Sequence, residues 1–169
     1  MSVREAIGMV RLPAYRRSFF CGAAEEGGVG LQLYYEKGKV LCDVSIDNKF
    51  QGYKDVVHGG IVMGMLDTMM WYVLVMETRK VCLTRHIDMD FLKPVLCNTP
   101  YRASTEFLRT EDKDVYASGR LEDASGQLCA QATGLFRESK ELSLKGVINR
   151  MDLRDPSPET RDLIFSLLL

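Results

Sequence analysis

The sequence predicts an α+β domain in which one antiparallel sheet wraps around a single long hydrophobic helix. Residues 61–76 are almost wholly apolar and show no polar side when placed on a helix, which is typical of a helix buried all round. Two segments with strand-like alternation precede this helix and four follow it. Wrapping one sheet around the helix is the simplest way to bury it.

The chain before the helix is expected to form an irregular lead and one hairpin. Up to about residue 24 the sequence has no clear period and predicts a leading helix or loop. A glycine-rich break at residues 27–30 follows. Residues 31–35 and 40–46 then alternate like strands on either side of a turn at residues 36–39, which predicts a hairpin.

Residues 48–53 are expected to be an irregular loop that leads from the hairpin towards the helix. After the helix, short polar turns of hairpin length separate segments with strand character. The four strands are predicted at residues 81–92, 101–110, 115–123 and 127–137.

The 169 residues are enough for one domain with a buried core. We place this domain at residues 1–140 and regard residues 1–28 as its N-terminal extension. Residues 141–169 form a more polar C-terminal tail.

The tail contains the signals of a short helix. Ser157 followed by Pro158 is a typical N-cap and first helical position. Residues 162–169 are then expected to form a short amphipathic helix that docks on the domain or on a partner.

Charge and cysteine content argue against several classes of protein. The 22 Lys and Arg residues nearly balance the 23 Asp and Glu residues, so bulk electrostatics would not hold the chain to nucleic acid or to an anionic membrane. The five cysteines are scattered and include no CxxC pair, which indicates neither a disulfide framework nor a zinc ribbon. Free thiols favour a reducing, cytoplasmic location.

Neither a membrane span nor a bound cofactor is expected. Arg4 and Glu5 interrupt the start of the chain, unlike a signal peptide. Residues 61–76 are shorter than the roughly 20 residues of a spanning helix and contain a charge. His58 and His86 are the two histidines and no ligand cluster surrounds either, so no metal or redox cofactor is implied.

Asp67 is the only ionisable residue within the apolar helix. Burying a carboxylate without a partner is costly or keeps the group protonated, so such a group is usually either paired or functional. A backbone group or Thr68 would satisfy it structurally. The pattern alone leaves the structural and the functional interpretation open.

His58, Gly59 and Gly60 stand directly before this helix. Two glycines at a helix N-terminus leave backbone N–H groups uncovered, where a carbonyl oxygen gaining negative charge or a phosphate would be stabilised. At 1.5 Å per residue, Asp67 lies roughly 12–13 Å further along the axis. One chain therefore does not bring both groups to the same reacting atom, and a shared site requires a dimer with antiparallel helices.

Residues 58–67 (HGGIVMGMLD) followed by residues 91–95 (FLKPV) resemble the 4-hydroxybenzoyl-CoA thioesterase-like hotdog superfamily. The resemblance is to the branch with the phenylacetate-pathway and mammalian acyl-CoA thioesterases, and it covers about residues 30–137. It implies the hotdog fold, hydrolysis of acyl-CoA thioesters and assembly as a homodimer or a dimer of dimers.

The resemblance also implies roles for four residues. Gly59 matches the residue whose N–H polarises the thioester carbonyl, and Asp67 matches the nucleophile or general base. His58 matches the histidine that shapes this loop, and Thr84 a residue that orients the hydrolytic water. Strict strand alternation, however, places Thr84 with His86 on the face that points away from the helix unless a bulge intervenes.

Substrate contacts are expected from the loop before the helix, from its first turns and from nearby cations. Gln51 stands near the position where many relatives carry an asparagine, and Gly60 and Met63 lie closest to the reacting group. Arginine and lysine suit the CoA phosphates. The candidates are Arg85 and Lys93, with Arg102 and Arg120 as weaker ones.

The expected function is hydrolysis of an acyl-CoA by water that Asp67 activates, or by direct attack of Asp67 through an anhydride. A first alternative is a hotdog module that binds acyl-CoA without turning it over. A second is a dehydratase or hydratase, whose different Asp and His pairing is not found in the sequence. Acyl preference and the choice between CoA and acyl-carrier protein stay open.

Overall fold

The computed structural model describes residues 8–22, 27–154 and 156–169. Three helices lie in these ranges: α1 (Gly59–Thr78), α2 (Leu144–Ile148) and α3 (Pro158–Leu168). The strands are β1 (Val10–Arg11), β2 (Tyr34–Glu36), β3 (Lys39–Ser45), β4 (Gln51–Tyr53), β5 (Val56–Val57), β6 (Cys82–Phe91), β7 (Pro100–Glu111), β8 (Asp114–Asp123) and β9 (Leu128–Glu138).

Seven of the strands form one antiparallel sheet in the order β1-β2-β3-β7-β8-β9-β6. The sheet packs on α1, which contacts β3, β6, β7, β8 and β9. The predicted α+β fold, a sheet wrapped around one long hydrophobic helix, is confirmed. Strand β6 pairs only with β9 and forms one edge of the sheet.

The predicted hairpin before the helix is present as β2 and β3. Its turn residues Lys37 and Gly38 have φ of 46° and 80°, as a two-residue type I′ turn requires. The first strand begins at Tyr34 rather than at residue 31. Leu33 lies outside the strand and its carbonyl accepts a hydrogen bond of 2.9 Å from the Leu12 N–H.

The chain ahead of these strands and the loop before α1 differ from expectation. Residues 8–22 are mostly irregular but include β1, which pairs with β2; residues 1–7 and 23–26 lie outside the described ranges. The predicted irregular loop contains a 3-10 turn at Asn48–Phe50 and the small β4–β5 sheet. These elements are two or three residues long, too short to show a period in the sequence.

The apolar side chains of α1 form most of the core. Fully buried residues of the helix pack with buried strand residues such as Val40, Ala117 and Phe136. By length and composition alone α1 could cross a membrane, but more than half of its apolar window is buried in the fold. This burial identifies α1 as a core helix.

The expectation that α1 is buried all round is wrong for one stripe on its N-terminal half. Residues of this stripe recur every three or four positions and are half-buried or exposed; they are Gly60, Met63, Gly64, Asp67, Thr68 and Trp71. The same side is fully buried at Leu74 and Val75. Within one chain, the sheet and the terminal segments cover the C-terminal half of α1 but leave this stripe open.

The C-terminal tail docks on the same chain. The Ser157 side chain caps α3 by accepting a hydrogen bond of 3.2 Å from the Thr160 N–H, and Pro158 opens the helix, as predicted. The helix begins at Pro158, four residues earlier than its predicted apolar part. Thr160 Oγ1 donates to the Arg11 carbonyl over 2.7 Å, which fixes α3 beside β1.

Candidate active site

Asp67 and Thr84 form a hydrogen-bonded pair at the middle of α1. The Thr84 hydroxyl donates to Asp67 Oδ1 over 2.7 Å. Asp67 is half-buried on the open stripe of the helix, and Thr84 comes from the edge strand β6. The structure therefore brings together two of the four residues that the resemblance singled out.

A β-bulge turns Thr84 towards the helix. In the pairing of β6 with β9, Thr84 is paired with Phe136 and His86 with Leu135. The register therefore shifts between them, and Arg85 is the extra residue of the bulge. Phe136 is fully buried in the core. The expectation from strict alternation, that Thr84 points away from the helix with His86, is wrong because of this bulge.

Burial raises the pKa of the Asp67 carboxyl above its usual value, and the hydrogen bond from Thr84 lowers it in part. Both effects are physically expected, since low dielectric disfavours the charged form and a donor to the carboxylate favours it. A carboxylate with a raised pKa is a stronger base than an exposed one. The site thus has a proton acceptor that one hydroxyl group holds in a fixed orientation.

His58 organises the start of α1. It is the N-cap residue, and its Nδ1 accepts a hydrogen bond of 2.9 Å from the Gly60 N–H. Its own N–H donates to the Phe50 carbonyl over 2.9 Å. The Gly60 N–H is therefore occupied, whereas in the part of the chain that the structure describes no acceptor contacts the Gly59 N–H.

The glycines around His58 have steric reasons to be glycines. A Cβ on Gly59 would lie 3.3 Å from the ring of Phe91, and a Cβ on Gly60 would lie 3.0 Å from His58 Nδ1. A Cβ on Gly52 would lie 3.1 Å from His58 Cα. Phe91 and the imidazole therefore pack directly on the backbone at the positive end of the helix.

Gly59 and Asp67 are eight residues apart on one straight helix, or about 12 Å at 1.5 Å per residue. The structure of one chain therefore separates the free N–H from the carboxylate, as the sequence predicted. We refer to these two groups of candidate residues as half-sites: Asp67 with Thr84, and Gly59 with His58 and Phe91.

The remaining candidates are spread around these two half-sites. Gln51 Oε1 accepts from the Asp55 N–H over 3.1 Å and so stabilises the β4–β5 turn. Met63 is 37% exposed on the stripe between the half-sites. Arg85 is exposed on the bulge, and Lys93 donates a hydrogen bond to Gln127.

The weaker phosphate candidates are already compensated within the chain. Arg102 pairs with Asp43 at 3.2 Å, and Arg120 pairs with Glu122 at 3.0 Å. By contrast, no ion pair of Arg85 or Lys93 is found within the described ranges. In those same ranges no three His, Cys, Asp or Glu side chains cluster as a metal site would require.

A cleft of about 370 Å³ opens beside Asp67 and Thr84. Sequence reasoning missed this feature because its lining comes from α1 and from both chain termini. No periodic pattern links such distant segments. The residues that line it beyond the pair are Tyr15, Ser18, Thr68, Trp71, Tyr72, Val81, Glu141, Leu142, Ser143, Gly146, Val147 and Arg150.

Comparison with known proteins identifies the family. A family model described as the thioesterase superfamily matches residues 54–130. An uncharacterised protein of Schizosaccharomyces pombe, C26H8.11c, is 31% identical over 126 residues, which cover 72% of this chain and 67% of that protein. The chain belongs to the thioesterase superfamily. The matched region contains both half-sites, from His58 to Phe91.

Solved structures of other proteins show the same fold. A thioesterase superfamily protein aligns with a TM-score of 0.62 and 21% identity over 66% of this chain, but over only 55% of its own length. The Escherichia coli PaaI protein from the phenylacetic acid degradation operon aligns with a TM-score of 0.61 and 13% identity, over 70% of this chain and 86% of PaaI. The Streptococcus mutans protein smu.793, whose structure is bound to acetyl CoA, aligns with a TM-score of 0.59 and 16% identity, over 64% and 88%. These likenesses confirm the hotdog fold that the resemblance implied.

Proposed function

We propose that this protein hydrolyses acyl-CoA thioesters, with Asp67 as the catalytic carboxylate. The observation that carries the proposal is the half-buried Asp67 carboxylate, which Thr84 orients beside a cleft and whose pKa burial raises. A carboxylate with these properties is suited to take a proton from water near neutral pH. Membership of the thioesterase superfamily supports the reaction class.

The complete site, in this proposal, comes from two copies of the chain. Thr84 and Phe91 lie near opposite ends of β6, beside Asp67 and Gly59 respectively. The outer edge of β6 carries unpaired backbone groups that a second β6 can pair with. An antiparallel pair around a two-fold axis would bring Asp67 of one chain to Gly59 of the partner subunit.

The open stripe on α1 supports the same arrangement. Met63 lies midway between Gly59 and Asp67 along the helix, so a two-fold axis that superposes the two half-sites passes near Met63. Exposed apolar side chains continue around this region on β6 and the loop after it; they are Leu83, Phe91, Leu92 and Leu96. A second copy would remove these side chains from water.

The proposed chemistry balances without a further reactant. The Gly59 N–H of one chain binds the thioester carbonyl oxygen and stabilises the negative charge that develops on it. Asp67 of the other chain takes a proton from water as the water oxygen bonds to the acyl carbon. The carbon–sulfur bond then breaks, the proton passes to the CoA thiolate, and a carboxylic acid and CoA-SH leave.

Direct attack of Asp67 on the acyl carbon is the second route that this geometry allows. The Asp67 oxygen bonds to the acyl carbon as the carbon–sulfur bond breaks, which forms an Asp67–acyl anhydride and a CoA thiolate that takes a proton from solvent. Water then hydrolyses the anhydride, which releases the carboxylic acid and regenerates Asp67. Rapid acid quench during the first turnover, followed by mass spectrometry of the Asp67 peptide, separates the two routes. An acyl mass on Asp67 indicates the anhydride, and its absence while CoA-SH is released indicates water activation.

Coenzyme A is the proposed carrier of the acyl group. The acetyl CoA in the Streptococcus mutans structure shows that a protein of this fold binds such a thioester. Arg85 and Lys93 provide exposed cations near the β6 edge for its phosphates. All five cysteines are free, which fits our proposal that the protein works in the cytoplasm.

The test is thiol release from a panel of short, medium, long-chain and aryl acyl-CoAs. We expect release by the wild type, loss of release in Asp67→Asn, and full activity in the matched control Asp112→Asn, which changes an exposed turn carboxylate. Saturable binding of acyl-CoA by a folded wild type that releases no thiol would contradict the proposal. That result would establish the non-catalytic acyl-CoA-binding module instead.

A further inference from the structure

The cleft at Asp67 is built mainly from the two ends of the chain. Trp71 of α1, one turn beyond Asp67, and Tyr15 of the N-terminal segment both line it. Leu142 and Val147 of the C-terminal tail line it as well.

Hydrogen bonds hold the lining segments from the two chain ends in place. The Tyr72 hydroxyl accepts from the Tyr15 N–H over 2.9 Å and donates to the Pro13 carbonyl over 3.0 Å, which ties the N-terminal segment to α1. The Arg16 N–H donates to the Arg150 carbonyl over 3.0 Å. The two terminal segments therefore hold each other, with Tyr15 bridged to Met151.

The lining residues from the two chain ends lie outside the region that the superfamily model matches. The family match runs over residues 54–130 and includes Asp67, Thr84 and Trp71. Tyr15 and the tail residues 141–150 precede and follow it. The residues that carry the proposed chemistry and the cleft residues from the two chain ends thus lie in separate parts of the sequence.

We infer that the cleft receives the acyl group and that the tail segment 141–150 limits its size, so that the preferred substrates carry a short, medium-length or single-ring acyl group. This inference rests on the proposed thioesterase function. The cleft volume of about 370 Å³ is at the small end of the range for ligand sites, about 300–1,000 Å³.

The apolar part of the cleft lining suits an acyl group. Trp71, Val81, Leu142 and Val147 present apolar surface to the cleft. A thioester carbonyl beside Asp67 places the acyl group next to Trp71, one helical turn further along α1. Leu142 is 46% exposed, so it lines the cleft without contributing much to the core.

Leu142 is therefore the position at which to change the size of the cleft. We would measure kcat/KM for acetyl-, hexanoyl-, dodecanoyl- and palmitoyl-CoA with wild type, Leu142→Ala and Leu142→Trp. Leu108, which is 41% exposed on β7 and remote from the cleft, provides matched controls as Leu108→Ala and Leu108→Trp.

We expect Leu142→Ala to raise the dodecanoyl-to-hexanoyl ratio of kcat/KM about tenfold and Leu142→Trp to lower it by a similar factor, in line with the discrimination that a few atoms in a pocket provide. The Leu108 variants should keep the wild-type ratio. Trp71→Phe provides a second test at a lining residue of α1 and should also raise the dodecanoyl-to-hexanoyl ratio of kcat/KM.

The inference and the proposed function fail in different ways. If thiol is released but all Leu142 and Trp71 variants keep the wild-type chain-length profile, or if palmitoyl-CoA is the best substrate of the wild type, the assignment of the cleft is wrong while the thioesterase stands. If no acyl-CoA is hydrolysed by the wild type, the proposed function itself is wrong and the inference falls with it.

Discussion

The two halves of α1 both contain many apolar side chains but have opposite surroundings. In the C-terminal half, Leu74 and Val75 are fully buried, and Tyr72 is hydrogen-bonded to the N-terminal segment. In the N-terminal half, one side of the helix is left open at Met63 and Asp67. The open first half of the helix carries the proposed site, and the buried second half supports the fold. Substitutions in the two halves should therefore affect different measurements.

Asp67→Asn is expected to give the largest loss of activity, because it removes the proposed base while keeping the shape of the side chain. We predict that kcat falls by about 10²–10⁴-fold. A steady-state assay on the best acyl-CoA measures this, with Asp112→Asn as the control. Retention of more than a tenth of the activity would exclude Asp67 as the catalytic carboxylate.

The same variant should not lose stability. The folded-state pKa of Asp67 is raised by burial, so stability is lost as the pH rises from the unfolded-state pKa, about 4, through the folded-state pKa, and the full cost of the buried carboxylate is present above both. We expect the melting temperature of Asp67→Asn at pH 7 to equal or exceed that of wild type, and this advantage to shrink as the pH approaches 4. A lower melting temperature at pH 7 would show that the carboxylate stabilises the fold.

Met63→Glu tests the open half of the helix. In the proposed dimer two glutamates would meet near the two-fold axis, so we expect the dimer dissociation constant to rise by about a hundredfold or more. Analytical ultracentrifugation measures this, and Leu168→Glu, at an exposed position of α3, is the control. A dimer of unchanged strength in Met63→Glu would place the subunit contact elsewhere.

Leu74→Ala tests the buried half. Truncating this fully buried side chain is expected to lower the free energy of unfolding by about 2–5 kcal/mol, with kcat per folded protein unchanged. Denaturant unfolding provides the measurement, and Leu108→Ala on the exposed face should change little. A variant that kept its stability but lost activity would reverse the assignment of the two halves.

Thr84→Val should have the smallest of these effects. Removing the hydroxyl removes the hydrogen bond that lowers the pKa of Asp67. Since hydrolysis requires the ionised carboxylate, the acidic limb of the kcat/KM profile should move to higher pH, and the loss relative to wild type should grow as the pH falls. An unshifted limb would mean that Thr84 does not set the protonation of Asp67.

The sequence was sufficient to predict the helix, the sheet and the separation of the half-sites. The periodicities of α1 and of the four later strands are long, and the spacing from Gly59 to Asp67 is fixed by the helix itself. The bulge at Arg85 was not predictable, because a single extra residue leaves no mark in the alternation of β6. The cleft walls at Tyr15 and Leu142 depend on tertiary contacts between the chain ends, which no local pattern records.

In the proposed dimer, one site contains Asp67 of one chain and Gly59 of the partner subunit. Gly59→Pro removes the proposed N–H donor at a first helical position, where proline is tolerated, and His58 before it is already extended. Gly59→Ala keeps the N–H and controls for the added Cβ. Each of Asp67→Asn and Gly59→Pro alone should be nearly inactive.

Co-refolding equal amounts of Asp67→Asn and Gly59→Pro tests whether the two chains share the site. A mixed dimer would combine the intact Asp67 of one chain with the intact Gly59 of the other in one of its two sites. With random pairing, half of the dimers are mixed, and about a quarter of the wild-type activity should return. A mixture that forms mixed dimers, as shown by mass spectrometry of the intact complex, yet stays as inactive as its components would contradict the shared site.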